Sequence, residues 1–246
     1  MSPTYIALII LFGVAIMAGI AFAVQDYENK KREKNLRLLT LKTAIRRATH
    51  LLESFPPILI SNEIHNLLCK YISVRWDAVV ELEASETNKQ QQSTFQARAA
   101  SVPEAMNHPA GSMSVFNNSV EANRALGVVK EFAGFVSEIA NKGDIRAEQA
   151  EHLTKEAKRI YMRIEIDIDL IQAMETEETQ TAEVVIHYYR SCFKKLQNLN
   201  INQALDRQLY EIRTHITQLA EQIDQHHEEK LQAEEAAKDS GKKFNF

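Results

Sequence analysis

Tyr5 to Val24 read YIALIILFGVAIMAGIAFAV, and this stretch decides how the rest of the chain is interpreted. Its twenty residues carry no charge and no strongly polar side chain. An α-helix of that length is about 30 Å long, which matches the hydrocarbon thickness of a bilayer. The sequence therefore predicts a membrane-spanning helix from Tyr5 to Val24, with the lipid bilayer as the first partner of the chain.

Two other interpretations of this stretch stay open. Ala21-Phe22-Ala23 fits the cleavage site of a secretory signal peptide, although the segment MSPT before the apolar run holds no Lys or Arg. A buried core helix is the third interpretation, but so purely apolar a run is not typical of one. Small residues recur every four positions within the span, a spacing that lets two helices associate and indicates a homo-oligomer. This helix-association strip consists of Ala15, Gly19 and Ala23.

Basic side chains follow the apolar stretch, and none precedes it. Residues 26–47 hold eight basic and three acidic side chains. Because Lys and Arg are retained on the cytoplasmic side, we expect a single-pass protein of an inner-type cell membrane, with its N-terminus outside and its body in the cytoplasm. The same cations either contact anionic lipid headgroups or only set the topology and remain solvated. The candidates for headgroup contact are Lys30, Lys31, Arg32, Lys34 and Arg37.

Composition favours long helices and argues against nucleic acid as a partner. The 246 residues include only 7 glycines and 5 prolines, so few positions interrupt a helix. The net charge is −4 although residues 26–47 contribute +5, which leaves the remainder acidic by about nine charges. Phosphate binding needs a concentrated basic face, which this balance does not provide. Cys69 and Cys192 form no CxxC motif and are expected as reduced thiols in a cytoplasmic body.

Apolar residues spaced three and four apart predict an all-α fold along nearly the whole chain. Residues 164–169 alternate like a strand, but they lie inside a long helical pattern and are assigned to a helix. Leu205, Leu209, Ile212, Ile216, Leu219 and Ile223 form heptads typical of a bundle or coiled coil. The predicted parts are a transmembrane anchor (1–27), a membrane-proximal helical hairpin (28–86), a flexible linker (87–116), a distal antiparallel helical bundle with coiled-coil character (117–238) and a disordered tail (239–246). A short helix within the linker, near residues 90–100, stays open.

The sequence contains no GxxxxGKS or GxxxxGKT loop, no GxGxxG, no GxSxG and no HExxH. We therefore predict no catalytic residue, no cofactor and no metal. Glu and His do occur four residues apart on three predicted helices, where they either converge on one metal ion or form solvated pairs. Bundles that hold two metals use Glu-x-x-His instead, which this sequence lacks. The three pairs are Glu148/His152, Glu183/His187 and Glu211/His215.

These patterns indicate a non-catalytic protein. The first hypothesis is a membrane-anchored scaffold or adaptor that presents cytoplasmic helical surfaces to a protein partner, acting through local concentration. Trp76 is either a contact residue for such a partner or part of the core. The second hypothesis is a membrane-bound sensor or regulator whose bundle responds to a ligand or metal. The third is an envelope protein whose body lies on the far side of the membrane.

Overall fold

The structure is a computed structural model that describes residues 3–99, 108–201 and 203–242, with side chains described at 17, 19–99, 108–201 and 203–234. Within these residues the fold is all-α, as predicted, with seven helices and no strand. The helices are α1 (Pro3–Ser54), α2 (Asn62–Leu82), α3 (Glu86–Ala99), α4 (Ser119–Asn141), α5 (Ala147–Thr176), α6 (Ala182–Leu199) and α7 (Asp206–Lys242).

Helix α1 is continuous over 52 residues and includes the backbone of the apolar stretch. Across the part of the chain that the structure describes, no helix is both long enough and apolar enough to cross a bilayer. The side chains of residues 5–16, which make up most of the predicted span, and that of Ala18 lie outside this part. The membrane-spanning helix therefore stays a prediction.

The first of two compact units consists of Met1–Glu53 and His65–Val102. Its core is formed by one stripe of α1 and one stripe of α2. The membrane-proximal hairpin over residues 28–86 stays a prediction. Polar contacts join its helices: Lys42 of α1 lies 3.9 Å from Glu83 just after α2, and Gln92 of α3 donates to Asp77 of α2 at 2.6 Å. The buried core residues of this unit are Leu38, Ile45, Ala48, Leu51, Leu67, Leu68, Tyr71, Ile72, Trp76 and Val79.

Helix α3 occupies the first half of the segment predicted as a flexible linker. Ser85 begins this helix by accepting a hydrogen bond from the Asn88 amide at 3.3 Å, and the Asn88 side chain is buried against Glu83. Four glutamines and two alanines within α3 have good intrinsic helix propensity, which favours a helix over the start of this segment. At the other end of that segment Phe116 is buried. Residues 100–107, where a linker stays a prediction, lie outside the described residues.

The second unit consists of Ser54–Ile64 and Pro103–Phe246. Its four helices pack in chain order, α4 on α5, α5 on α6 and α6 on α7, with short connections that make neighbours antiparallel. On α4, a stripe spaced alternately four and three residues apart is buried; it consists of Ala125, Val129, Phe132, Val136 and Ile139. In the heptads of α7, Leu205, Ile212 and Leu219 are buried, and the alternate positions pack half-buried beside them.

Helix α7 continues to Lys242, four residues into the predicted disordered tail, and 243–246 lie outside the description.

Segment 54–64 packs with the bundle because it carries aromatic and aliphatic side chains of its own. Phe55 meets Phe132 of α4 edge to face, with ring centroids 5.8 Å apart, and Leu59 is buried. The amides of Leu59 and Ile60 both donate to the Pro56 carbonyl, which closes the turn that the proline pair predicts.

Two residues close the ends of α4. Asn118 Oδ1 accepts a hydrogen bond from the Glu121 amide at 2.9 Å and so caps the start of the helix. Gly143 follows its end with a φ of 77°, a conformation that glycine adopts without strain. Helix α5 is preceded by Arg146, which makes no side-chain capping bond.

We expect Phe132→Ala to lower the free energy of unfolding by about 3–5 kcal/mol, because the ring is fully buried against Phe55 and its loss leaves a cavity. Urea unfolding of the detergent-solubilised full chain, followed by circular dichroism, measures this. Val120→Ala on the same helix is the control, since Val120 is 60% exposed and should change stability by less than about 0.5 kcal/mol. Equal effects of the two substitutions would contradict the packing described above.

Candidate functional site

A groove of about 560 Å³ runs between α1, α2 and α3 in the first unit. Its apolar wall is formed by Ile45, Trp76 and Phe95. An ion pair between Arg98 and Glu53, 3.5 Å apart, lies at its polar rim. Trp76 is buried, so the core interpretation of this residue holds, while one edge of the ring still lines the groove. An apolar groove with a charged rim is typical of a surface that accommodates the side chains of another protein.

His65 also lines this groove, and Cys69 lies one helical turn away. The Cys69 Sγ is 3.6 Å from His65 Nε2, a distance at which an imidazole could activate a thiol. Burial nevertheless raises the pKa of Cys69 above its ordinary value. The pair therefore keeps a neutral thiol, which is a poor nucleophile.

A second groove, about 610 Å³ in volume, lies over α4, α5 and α6 in the second unit. Glu165 and Asp169, which share one face of α5, both line it. Asp169 Oδ2 is bound by Lys195 Nζ at 2.8 Å, and this hydrogen bond raises the pKa of Lys195. The aspartate is therefore occupied by an ion pair with α6, which leaves no pair of free carboxylates for acid–base chemistry.

The most buried polar group of the second unit is Asp167, whose side chain is fully enclosed in the middle of α5. Gln208 of α7, also fully buried, donates to Asp167 Oδ1 at 2.6 Å and to the Met113 carbonyl at 2.9 Å. Arg163, one turn before Asp167, donates to Gln208 Oε1 at 3.3 Å. This polar network ties α5, α7 and the chain around Met113 together.

Burial raises the pKa of Asp167 to about 6, and the charge of Arg163 and the hydrogen bonds from Gln208 and the Val115 amide offset only part of that effect. Periodicity missed this residue, although a signal was present. Asp167 comes three residues after Ile164 and four before Ile171, so it lies on the apolar stripe of its own helix.

A second, half-buried polar cluster lies where α5 ends. Glu177 Oε1 accepts a hydrogen bond from the Tyr189 hydroxyl and lies 2.6 Å from His215 Nε2. The Tyr189 and His215 rings meet edge to face, 5.1 Å apart. Burial, together with the hydrogen bond to Glu177, raises the pKa of Tyr189. These contacts connect α6, α7 and the end of α5.

One group of side chains in the second unit can hold a metal. Glu63, His152 and Glu156 each offer one donor atom, and these atoms all lie within 4.8 Å of one another. His152 Nδ1 is 2.9 Å from Glu63 Oε2. The i,i+4 spacing predicts Glu148 as the partner of His152, and Glu156, four residues after His152, has the same spacing. Glu63 is remote in sequence, so no local pattern indicates it.

The three predicted Glu–His pairs do not converge on one metal-capable group among the described side chains. His152 contacts Glu63, and His215 contacts Glu177. His187 is exposed on α6. The partners of the first two histidines therefore come from other segments, and the i,i+4 spacing did not identify them.

The residues predicted to meet the membrane are only partly described. Tyr5 and Ala15 lie outside the described side chains, while Gly19, Ala23 and Val24 are exposed. All five candidates for headgroup contact are exposed as well, and Lys30 forms an ion pair with Asp26 at 2.7 Å. The candidates are Lys30, Lys31, Arg32, Lys34 and Arg37.

Comparison with known proteins gives no match to a family model, to a curated protein or to a solved structure. The function has to be inferred from the geometry of these grooves and clusters.

The raised pKa of Asp167 makes stability depend on pH. As pH rises from about 4 to 6, the unfolded chain releases this proton while the folded chain keeps it, so the free energy of unfolding falls and then levels off above about pH 6. Asp167→Asn cannot ionise. We expect the variant to gain about 2.4 kcal/mol relative to wild type between pH 4 and pH 7, at about 1.4 kcal/mol per pKa unit, because the unfolded carboxyl is already partly ionised at pH 4.

Urea unfolding of both proteins at pH 4, 5, 6 and 7 measures this difference. Asp224→Asn provides the control, because Asp224 is an exposed aspartate of α7 and its substitution should give a curve parallel to that of wild type. If the Asp167→Asn curve also ran parallel to wild type, the buried carboxylate would not be titrating as described.

Proposed function

We propose that this protein is a single-pass membrane-anchored helical scaffold or adaptor whose cytoplasmic surfaces bind a protein partner. The observation that carries the proposal lies on α1, where the large apolar side chains that the structure describes before Asp26 have no protein cover. Met17, Ile20, Phe22 and Val24 are 71%, 60%, 75% and 52% exposed. Apolar side chains exposed in succession along a helix mark a surface that another apolar phase covers, and lipid is that phase here.

The exposed cations that follow set the orientation and the depth of the helix. At about 1.5 Å per residue, Lys30 lies about 9 Å beyond Val24 and Arg37 about 20 Å beyond it. The headgroup layer is about 5–8 Å thick on each side, and screening in salt limits attraction to about 8 Å more. Lys30, Lys31 and Arg32 are therefore the residues that contact anionic headgroups, and Arg37 does so only if the helix tilts.

The part of α1 beyond the membrane acts as a stalk. The first buried residue, Leu38, lies 14 positions after Val24, which corresponds to about 20 Å of helix. A continuous helix holds the first unit at this distance from the lipid surface. A partner that binds there is concentrated in a thin layer next to the membrane, and affinity gained in that way needs no additional contact.

The groove of the first unit is the surface that a partner fits best. Trp76 and Phe95 offer aromatic area inside it, and the ion pair of Arg98 with Glu53 provides charge at its edge. An amphipathic helix places apolar residues at three- and four-residue spacing into such grooves. We infer that the partner presents a helical segment to this groove.

A second function, a membrane-bound sensor or regulator, is favoured by one observation, the group formed by Glu63, His152 and Glu156. An ion bound there would make partner binding depend on metal. If added Zn²⁺ changes the yield of the crosslink to the partner, the result supports the sensor. An unchanged yield supports the scaffold without metal dependence.

We expect the full-length chain to remain in the membrane pellet after alkaline carbonate extraction, and a chain that lacks residues 5–24 to appear in the supernatant. Lipid-immersed apolar residues resist extraction, whereas headgroup contacts alone do not. Recovery of the full-length protein in the supernatant would contradict the anchor.

Cysteine labelling with a membrane-impermeant maleimide in intact cells tests the topology of the chain. Native Cys69 is half-buried and Cys192 is buried, so both react slowly. Ser2→Cys should be labelled from outside, whereas Gln218→Cys, an exposed position of α7, should be labelled only after the cells are opened. Labelling of Gln218→Cys in intact cells would place the body on the far side.

Site-specific photocrosslinking tests the groove. With a photoreactive phenylalanine analogue at Gln91 or Thr94, which line the groove, we expect one discrete adduct with a partner protein. The same analogue at Asn66 or Lys70, exposed positions of α2 outside the groove lining, serves as the control and should give at least fivefold less adduct. Equal adducts at all four positions would contradict a groove-directed partner.

A further inference from the structure

The connection between α1 and α2 meets α5 through a group of potential metal ligands. Glu63 lies in the first turn of α2, while His152 and Glu156 lie one helical turn apart on α5. Their donor atoms all lie within 4.8 Å of one another, and all three residues belong to the second unit.

We propose that Glu63, His152 and Glu156 bind one divalent transition-metal cation, with Zn²⁺ as the best-fitting ion. Bonds from Zn²⁺ to imidazole nitrogen and carboxylate oxygen are about 2.0–2.2 Å, so donor atoms in a tetrahedral site lie about 3.3 Å apart. His152 Nδ1 and Glu63 Oε2 are 2.9 Å apart. An adjustment of a few tenths of an ångström brings them to that spacing, and both side chains are exposed and free to make it.

The chemistry of the donors selects the class of ion. Imidazole suits Zn²⁺, Cu²⁺, Fe²⁺ and Ni²⁺, whereas Mg²⁺ and Ca²⁺ prefer oxygen ligands only. Three protein ligands on an accessible surface leave at least one coordination position to solvent. The two carboxylates also balance the charge of the cation.

A separate observation concerns Glu156 itself. Its Oε2 atom is shielded from solvent and has no hydrogen-bond partner among the described residues. A shielded carboxylate oxygen without a partner is unfavourable, and a cation coordinated by the same carboxylate relieves that cost. The ordinary alternative, an exposed ion pair between His152 and Glu63, accounts for those two residues but not for the shielded oxygen of Glu156.

The consequence of binding is local. The ion would connect segment 54–64 to α5 through three ligands instead of one ion pair, and a ligand that binds only the folded state stabilises it. The inference does not depend on the membrane proposal, since the ligands lie within the second unit and the test uses detergent-solubilised protein.

Isothermal titration of the untagged, full-length chain with ZnCl₂ tests the site. The adjacent pair His226 and His227 on α7 could bind Zn²⁺ independently, so all proteins carry His226→Gln and His227→Gln. We expect one Zn²⁺ per chain and binding at least tenfold weaker in His152→Gln and in Glu63→Gln. Glu148→Gln is the matched control, because Glu148 is also four residues from His152 on α5, and its affinity should stay within twofold.

A second readout separates loss of the site from loss of the fold. Zn²⁺ should raise the Tm of the parent protein and of Glu148→Gln but leave that of His152→Gln unchanged, while all three have the same helical circular dichroism spectrum without metal. Excess Mg²⁺ should not displace the Zn²⁺. Unchanged affinity in His152→Gln, or no binding at submillimolar Zn²⁺, overturns the proposal.

Discussion

One helix meets three different surroundings along its 52 residues, and the rest of the protein follows from that constraint. Before Asp26 the apolar side chains that the structure describes are exposed, from Lys30 to Arg37 the side chains are exposed and mostly basic, and from Leu38 onward one stripe is buried. A continuous helix cannot bend to bury all three stretches in one core. Among its described side chains, only the last stretch therefore contributes to the core of the first unit.

Periodicity identified the elements that depend on local pattern. The stripes of α4 and α7 have spacings of three and four, and burial follows them position by position. Periodicity could not identify polar groups whose partners are distant in sequence. Gln208 reaches Asp167 across 41 positions and Met113 across 95, and no local rule encodes either pairing. Glu63 and His152 were separated in the same way, so the metal-capable group became visible only in three dimensions.

Helix α3 lies where the sequence predicted a flexible linker, and the reason for this difference is another one. Its composition holds few large apolar residues, which indicated a linker because little area can be buried against the entropy of ordering. Phe95 is the exception, and a single aromatic side chain together with a Ser85 cap and the bond from Gln92 to Asp77 places this helix on the first unit. A segment that buries little area can still line a groove. When one wall of a groove is held by few contacts, the groove adapts to a partner more readily than a closed core does.

Burial affects three side chains that carry a thiol or a phenol. Burial raises the pKa of Cys69, of Cys192 and of Tyr189, and in each case it favours the neutral form. A nucleophilic thiol needs the opposite shift, produced by a neighbouring cation or a helix N-terminus. The thiols and phenol that could act as nucleophiles therefore keep their protons at neutral pH. The proposals of partner and ion binding rest instead on an aromatic groove and on a group of potential metal ligands.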